Sequence, residues 1–259
     1  MIRRNIADKL LGLSRTFPVV TVTGPRQAGK TTLCRHFFSG YDYLSMERPD
    51  IRDHALNDPL DLLDRHGDRV ILDEIQRVPE LLSYLQTEVD RDRRPGRFVL
   101  TGSHNTLLIS GVSQTLAGRT AILNLLPFSR DEVERFPDHS GSLEPALWTG
   151  SYPPIFDEGH EPGDWLSAYV NTYVERDVRQ ILEIRDLRVF QLFMRLCAAR
   201  TGQVLNMGSL AADAGISAGT VRSWLGLLEA SFLITLLPGW YTNPRKRLIK
   251  SPKLHFIDT

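Results

Sequence analysis

The chain has 259 residues, 42% of them apolar, and its 31 basic residues are balanced by 31 acidic ones. That size and apolar content suit one large or two to three small domains around a real core and argue against disorder. A formal charge of zero leaves no whole-chain field to draw in nucleic acid, so any such contact needs a local patch. Cys34 and Cys197 have no metal-ligand spacing, and Cys34 reads as a packed thiol. Arg3 and Arg4 lead into an amphipathic stretch without an apolar h-region, so no secretory leader is expected. No apolar run reaches the ~18 residues of a membrane span. A reducing cytoplasm is the expected location.

In chain order, Pro18–Thr23 is a short β-branched run, as a buried parallel strand should be. A glycine-containing loop follows, then a helix over Lys30–Phe38 that Gly40 stops. Tyr41–Ser45 is a second strand, and Asp50–His66 is helix-compatible with a break at Pro59. Arg69–Asp73 is a third, buried strand, and Pro79 is expected to open a helix through Asp92 as an N1 proline. After the Pro95-Gly96 turn, Arg97–Ser103 is a fourth strand, residues 105–116 a helix, and Ala121–Leu126 the last strand. Five short strands alternating with helices predict an α/β fold, a five-stranded parallel sheet with helices on both faces.

Pro127 ends this alternation. Residues 128–162 are rich in turns, and Asp164 to about Arg200 reads as largely helical, with Trp165, Tyr169, Val170, Tyr173 and Val174 at three-to-four spacing. Leu210–Leu225 reads as helix-turn-helix. Ala211 and Ala212 allow close helix approach, Gly215 ends the first helix, Ile216 plugs the core, and Ser217 caps the second. Val221, Leu225 and Leu228 make the buried stripe, and Phe232–Leu237 with Leu254–Ile257 read as strands of a wing. The expected division is 1–130 as the α/β core, 131–188 as a helical lid or linker, and 189–259 as a winged helix.

The chemistry concentrates in Gly24-Pro25-Arg26-Gln27-Ala28-Gly29-Lys30-Thr31-Thr32, which reads G-x-x-x-x-G-K-T between a strand and a helix. The glycines let the backbone curl so that its N–H groups face phosphate oxygens. Lys30 reaches the β- and γ-phosphates, and Thr31 offers a hydroxyl to Mg²⁺. Asp73 and Glu74 follow the apolar run Val70-Ile71-Leu72, at the carboxyl end of a strand where open α/β sheets bind ligands. Asp73 suits Mg²⁺, and Glu74 suits polarising a water for attack on the γ-phosphate. Arg26 is unusual inside such a loop and takes no assigned role.

Ser103 ends the fourth strand, where a small polar side chain can sit between the acidic pair and the γ-phosphate, as sensor 1 does in AAA+ ATPases. Thr101 is its rival. Arg119, just before the last strand, stands where an AAA+ subunit carries an arginine finger for a neighbour's nucleotide in a homo-oligomer. Arg176 reads equally as a lid arginine or as an exposed ion pair. On the second helix of the helix-turn-helix, Thr220, Arg222 and Ser223 would face DNA, and the wing segment 243–253 carries five cations, Arg245, Lys246 and Arg247 among them. Alternatively the module packs on its own core or on another protein.

Taken together, these residues resemble a prokaryotic AAA+ ATPase family that joins the ATPase to a C-terminal domain of unknown function. The likeness rests on the phosphate loop, Leu72–Leu82 around the acidic pair, Leu100–Ser103, Leu116–Arg119, Tyr173–Val178 and Lys250–Thr259. It implies an ATPase core, a helical lid and a winged helix. It assigns roles to Lys30, Thr31, Asp73 and Glu74, and to Ser103 and Arg119 less directly. Family members usually continue into a nuclease-like domain, of which this sequence holds no residues, so a winged helix cut short at its C-terminus is expected. The resulting expectation is Mg²⁺-dependent ATP hydrolysis that moves the lid and winged helix. The alternatives are a slow nucleotide-gated DNA-binding or signalling switch and a P-loop kinase. A GTPase is disfavoured, since no Asn-Lys-x-Asp segment is present.

Overall fold

The computed structural model describes residues 2–103, 111–112, 114–137, 139, 141–174, 187–240, 242 and 250–258, without the side chains of 173 and 174. The chain divides into two compact units, 1–139 with 152–157, and 140–151 with 158–259.

The first unit is built on five parallel strands: β1 Val19–Thr23, β2 Asp42–Ser45, β3 Val70–Asp73, β4 Phe98–Gly102 and β5 Thr120–Asn124. Their spatial order is β2-β3-β4-β1-β5. The three inner strands are buried throughout, which is why their sequences are mostly apolar, while β2 and β5 at the edges are exposed in part.

Alternate residues of each strand feed opposite faces. Val19, Val70, Leu72, Phe98 and Leu100 pack against helices α3 Pro49–Asn57, α4 Pro59–His66 and α5 Leu81–Arg91. Val20, Val22, Ile71, Val99 and Leu123 pack against α1 Ala7–Ser14 and α2 Lys30–Phe37 through Leu10, Leu33 and Cys34. Two cores sandwiching one sheet hold the strand ends, and the loops that leave them, in fixed places.

Local chemistry sets the helix starts. Pro49 and Pro59 each occupy the first helical position, and the Asp58 side chain accepts the Asp61 N–H to cap α4. Pro79 is not an N1 residue. The chain after β3 first makes a short 3₁₀ helix, Ile75–Arg77, and then a turn through Glu80, so α5 starts at Leu81. The helix expected over 105–116 lies largely outside the described residues; its end closes with Leu116 N–H donating to the Val112 carbonyl at 2.8 Å. The stretch read as turns contains the short helices α6 Arg130–Val133, α7 Leu143–Thr149 and α8 Pro153–Asp157.

The second unit is mainly helical. Helix α9 Pro162–Tyr169 continues into a π-helical turn, Val170–Val174. Helices α10 Leu187–Ala198, α11 Met207–Ala214 and α12 Ala218–Ala230 pack around Phe190, Phe193 and Trp224, whose rings meet edge-on at 5.1 and 5.2 Å across α10 and α12. Gly215, at φ +67, ends α11 in the left-handed conformation, and Ser217 Oγ caps α12 at the Thr220 N–H. Ile216 is half-buried and Ala212 exposed, so neither fills the core; Trp224 does. Strands β6 Ile234–Leu237 and β7 Lys253–Phe256 pair antiparallel, and Gly202 and Leu205 donate to Leu254 and Pro252 alongside β7. No helix among the described residues is long and apolar enough to cross a membrane.

Candidate active site

The loop from Gly24 to Gly29 joins the carboxyl end of β1 to the first residue of α2. Gly24, at φ +150, lies so close to the chain leaving β5 that a Cβ would stand 2.0 Å from the Leu125 carbonyl oxygen. Leu125 is held there by its own N–H, which donates to Thr23 at 2.7 Å. Gln27 and Gly29 take left-handed φ values of +60 and +88, which wind the loop back over the start of α2. Thr32 is exposed on the outer side of that helix.

Lys30 is the first residue of α2 and is only 6% exposed. Its Nζ donates to the carbonyls of Gly24 at 3.0 Å and Pro25 at 2.7 Å. Burial pulls its ammonium down to about 8, against the attraction of Glu74 and Asp73 and with a further push from Arg26. Arg26 thus adds positive potential at the loop.

Asp73, the last residue of β3, is 5% exposed and gathers three hydroxyls. Thr31 Oγ1 donates to its Oδ1 at 2.8 Å, Tyr43 OH to its Oδ2 at 2.8 Å, and Thr101 Oγ1 to Oδ1. Glu74 sits at φ +54, ψ +44, an uncommon left-handed conformation for a glutamate. Its N–H donates to Thr101 Oγ1 at 3.3 Å, and its Oε2 accepts from Ser103 Oγ at 3.0 Å and from Gln76 Nε2. The two rivals on β4 and just beyond it therefore divide the acids: Thr101 faces Asp73 and the Glu74 backbone, whereas Ser103 faces the Glu74 carboxylate.

Lys30, Thr31, Asp73, Glu74 and Ser103 converge at the carboxyl ends of β1, β3 and β4. Arg119 does not join them. Its carbonyl accepts the Val19 N–H at 3.3 Å, at the amino ends of β1 and β5, and its guanidinium grips Asp90 with two bonds of 2.9 and 2.7 Å. Arg176, Arg245, Lys246 and Arg247 lie outside the described residues. Thr220 is half-buried with its hydroxyl 2.9 Å from Ser217 Oγ, while Arg222 and Ser223 are exposed on α12.

Three residues carry parts that the sequence did not assign. Tyr43 reaches Asp73 because β2 lies beside β3, with Ser45 opposite Asp73. Burial, reinforced by Asp73, raises its phenol to about 12, so it remains a hydrogen-bond donor. Gln76 comes back over Glu74 through the 3₁₀ turn. Arg4, 6% exposed, donates to the carbonyl of Ala28 inside the loop. No spacing pattern marks Tyr43 or Arg4; Gln76 is readable only as a polar neighbour of the acidic pair.

The donor set suits a hard cation. Thr31 and Asp73 present adjacent oxygens, as a Mg²⁺ site that keeps several waters and takes phosphate oxygens would need. Among the described residues, no group of three or more His, Cys, Asp or Glu could hold a metal unaided.

Comparison with known proteins agrees with this geometry. Residues 16–134 match the family model described as an AAA domain, and residues 140–259 match a Domain of unknown function (DUF8612). Uncharacterized proteins of Mycobacterium bovis and Mycobacterium tuberculosis are each 31% identical over 265 residues, covering 99% of this chain. The chain spans 58% of the length of these relatives. Among solved structures, a Walker-type ATPase of Pyrococcus abyssi superposes with a TM-score of 0.59 at 17% identity, covering 91% of each chain, which is a likeness of fold. Residues 16–134 are therefore similar to AAA domains, on a fold shared with a Walker-type ATPase, and residues 140–259 are similar to a domain of unknown function.

Proposed function

We propose that the protein binds ATP with Mg²⁺ and hydrolyses it to drive a conformational switch. The observation that carries this reading is the meeting of Lys30, the Thr31–Asp73 pair at 2.8 Å, and Glu74 at the carboxyl ends of three adjacent strands. The loop amides and Lys30 bind the triphosphate, and Lys30 exchanges the two carbonyls it now holds for phosphate oxygens. Thr31 and Asp73 would hold Mg²⁺, which when bound neutralises charge on the phosphates. Glu74 orients the attacking water and accepts its proton. Ser103, bonded to the Glu74 carboxylate, aligns it and stands ready to contact the γ-phosphate. An Asp-Glu pair beside the loop serves water attack better than transfer to an acceptor, which disfavours a kinase.

In this reading residues 131–188 act as the lid and 189–259 as a winged helix, in a cytoplasmic protein. Three helices with a capped helix-turn-helix and an antiparallel β6–β7 pair support the winged-helix assignment. Arg119 serves a neighbouring subunit in trans, since its own loop is out of reach. A second reading, a slow nucleotide-gated DNA-binding switch, draws on the exposed Arg222 and Ser223 of α12 and the cations of 243–253. Binding of DNA that weakens steeply with salt is its expected signature, and binding absent at low salt removes it.

Phosphate release tests the main reading. Glu74→Gln should keep ATP affinity and lose about 10²–10⁴-fold in turnover, the usual worth of a positioned general base. Wild-type turnover in that variant overturns the assignment.

A further inference from the structure

The geometry points to Arg4 as the residue that sets the orientation of the phosphate loop, a positioning role that rests on the ATP-binding reading above. Arg4 lies far from the loop in sequence and belongs to no motif. Its guanidinium is nonetheless buried against the loop and engages four acceptors. Nη1 donates to the Ala28 carbonyl at 3.0 Å, Nη2 to the carbonyls of Leu126 at 2.6 Å and Pro127 at 3.3 Å, and Nε to Glu132 Oε1 at 3.1 Å. The cation also lies 4.6 Å from the centre of the Phe128 ring.

Glu132 is committed in turn. Its Oε1 also accepts the Asn5 N–H at 2.5 Å, and its Oε2 accepts the Ser129 N–H at 3.0 Å in the capping box of α6. Arg4 is thus fixed from behind by a carboxylate that cannot turn away.

The Ala28 contact has a directional consequence. A peptide unit is planar and trans, so its carbonyl and the N–H of the next residue point in opposite directions. Holding the Ala28 carbonyl outward on Arg4 aims the Gly29 N–H into the loop, where a phosphate oxygen would lie. Gly29 is the hinge of this peptide, and with no Cβ it tolerates either sign of φ. Nothing in Gly29 itself prevents the 28–29 peptide from flipping; the guanidinium does. The segment leaving β5 braces the loop twice, with the Leu125 carbonyl against Gly24 and the 126 and 127 carbonyls tied to Ala28 through Arg4. The loop is then ordered before ligand arrives, and phosphate binding does not have to order it.

The test compares ADP with adenosine, which lacks the phosphates, in Mg²⁺-free buffer. Truncating Arg4 alone strands the buried Glu132 carboxylate and risks unfolding. The double variant Arg4→Gln with Glu132→Gln removes the charge pair as a whole and leaves no unpaired buried charge. It is expected to bind ADP about tenfold or more weakly, the equivalent of one charged hydrogen bond, and adenosine as wild type does. In Arg4→Ala, low-millimolar guanidinium is expected to restore ADP affinity. ADP affinity in the double variant within twofold of wild type overturns the role of Arg4. Equal weakening for ADP and adenosine also overturns it, in favour of a general structural role. A wild-type protein that binds neither ADP nor Mg-ATP overturns the ATP-binding reading beneath it.

Discussion

Lys30 should destabilise the protein that it equips for binding. In the ligand-free fold its ammonium is buried, and its pKa falls from 10.5 to about 8. A drop of that size corresponds to about 3 kcal/mol by which the folded chain disfavours the charged form. Below pH 8 both folded and unfolded chains keep the proton, and the whole penalty is present. Between pH 8 and 10.5 the unfolded chain holds it and the folded chain releases it, so stability rises with pH until the penalty is gone. Lys30→Met keeps an unbranched chain of similar length and removes the charge. It also leaves the Gly24 and Pro25 carbonyls without their donor, at about 1 kcal/mol each. The variant should therefore be about 1 kcal/mol more stable than wild type at pH 7, a rise of about 2–4 °C in midpoint. By pH 10.5 it should be about 2 kcal/mol less stable, because only the lost hydrogen bonds remain. Denaturation of both proteins without nucleotide from pH 7 to 10.5 reads the crossing directly, since other titrating groups cancel in the difference. A stability difference that does not change with pH would refute the placement of a desolvated ammonium in this loop.

Other perturbations separate the remaining roles. Gly24→Ala forces a Cβ onto the Leu125 carbonyl at 2.0 Å. It should cost about 2–4 kcal/mol from strain and overpacking, visible in calorimetry. Thr101→Val keeps the shape but strips one of three hydroxyl donors from Asp73 and the acceptor from the Glu74 N–H. A stability loss of about 1–3 kcal/mol should come with a several-fold higher Mg²⁺ requirement for hydrolysis. Arg119→Ala should lower turnover by about 10³-fold with ATP affinity unchanged if the residue acts on a neighbour. Asp90→Ala, which frees Arg119 from its bidentate pair and Arg93 from an exposed one, should leave turnover at or above wild type. Equal losses in both variants would assign the Arg119–Asp90 pair to structure.

The strands were readable because parallel strands buried on both faces are dominated by apolar residues, and β1, β3 and β4 are, with polar residues gathered mainly towards their carboxyl ends. The loop and the acidic pair were readable because strand, glycine loop and helix follow one another directly in the chain. What was hidden depends on spatial neighbours. Tyr43 meets Asp73 only because β2 pairs with β3, an order no local pattern carries. Arg4 meets Ala28 only after residues 125–132 return beside the loop. Pro79 looked like a helix start because its φ is right for one, yet the turn that lays Gln76 over Glu74 takes those residues first. The short helices of 130–157 are each a turn or two long, too brief for a periodic signal.

The most direct measurement is a calorimetric titration of the protein with a slowly hydrolysed ATP analogue, with Mg²⁺ and with chelator, on wild type and Lys30→Ala. One analogue should bind per chain, more tightly with Mg²⁺ than without, and binding should weaken at least tenfold, about 1.4 kcal/mol, in the variant. Absence of binding by wild type in the presence of Mg²⁺, or binding indifferent to Lys30, would contradict the assignment of this loop as a triphosphate cradle.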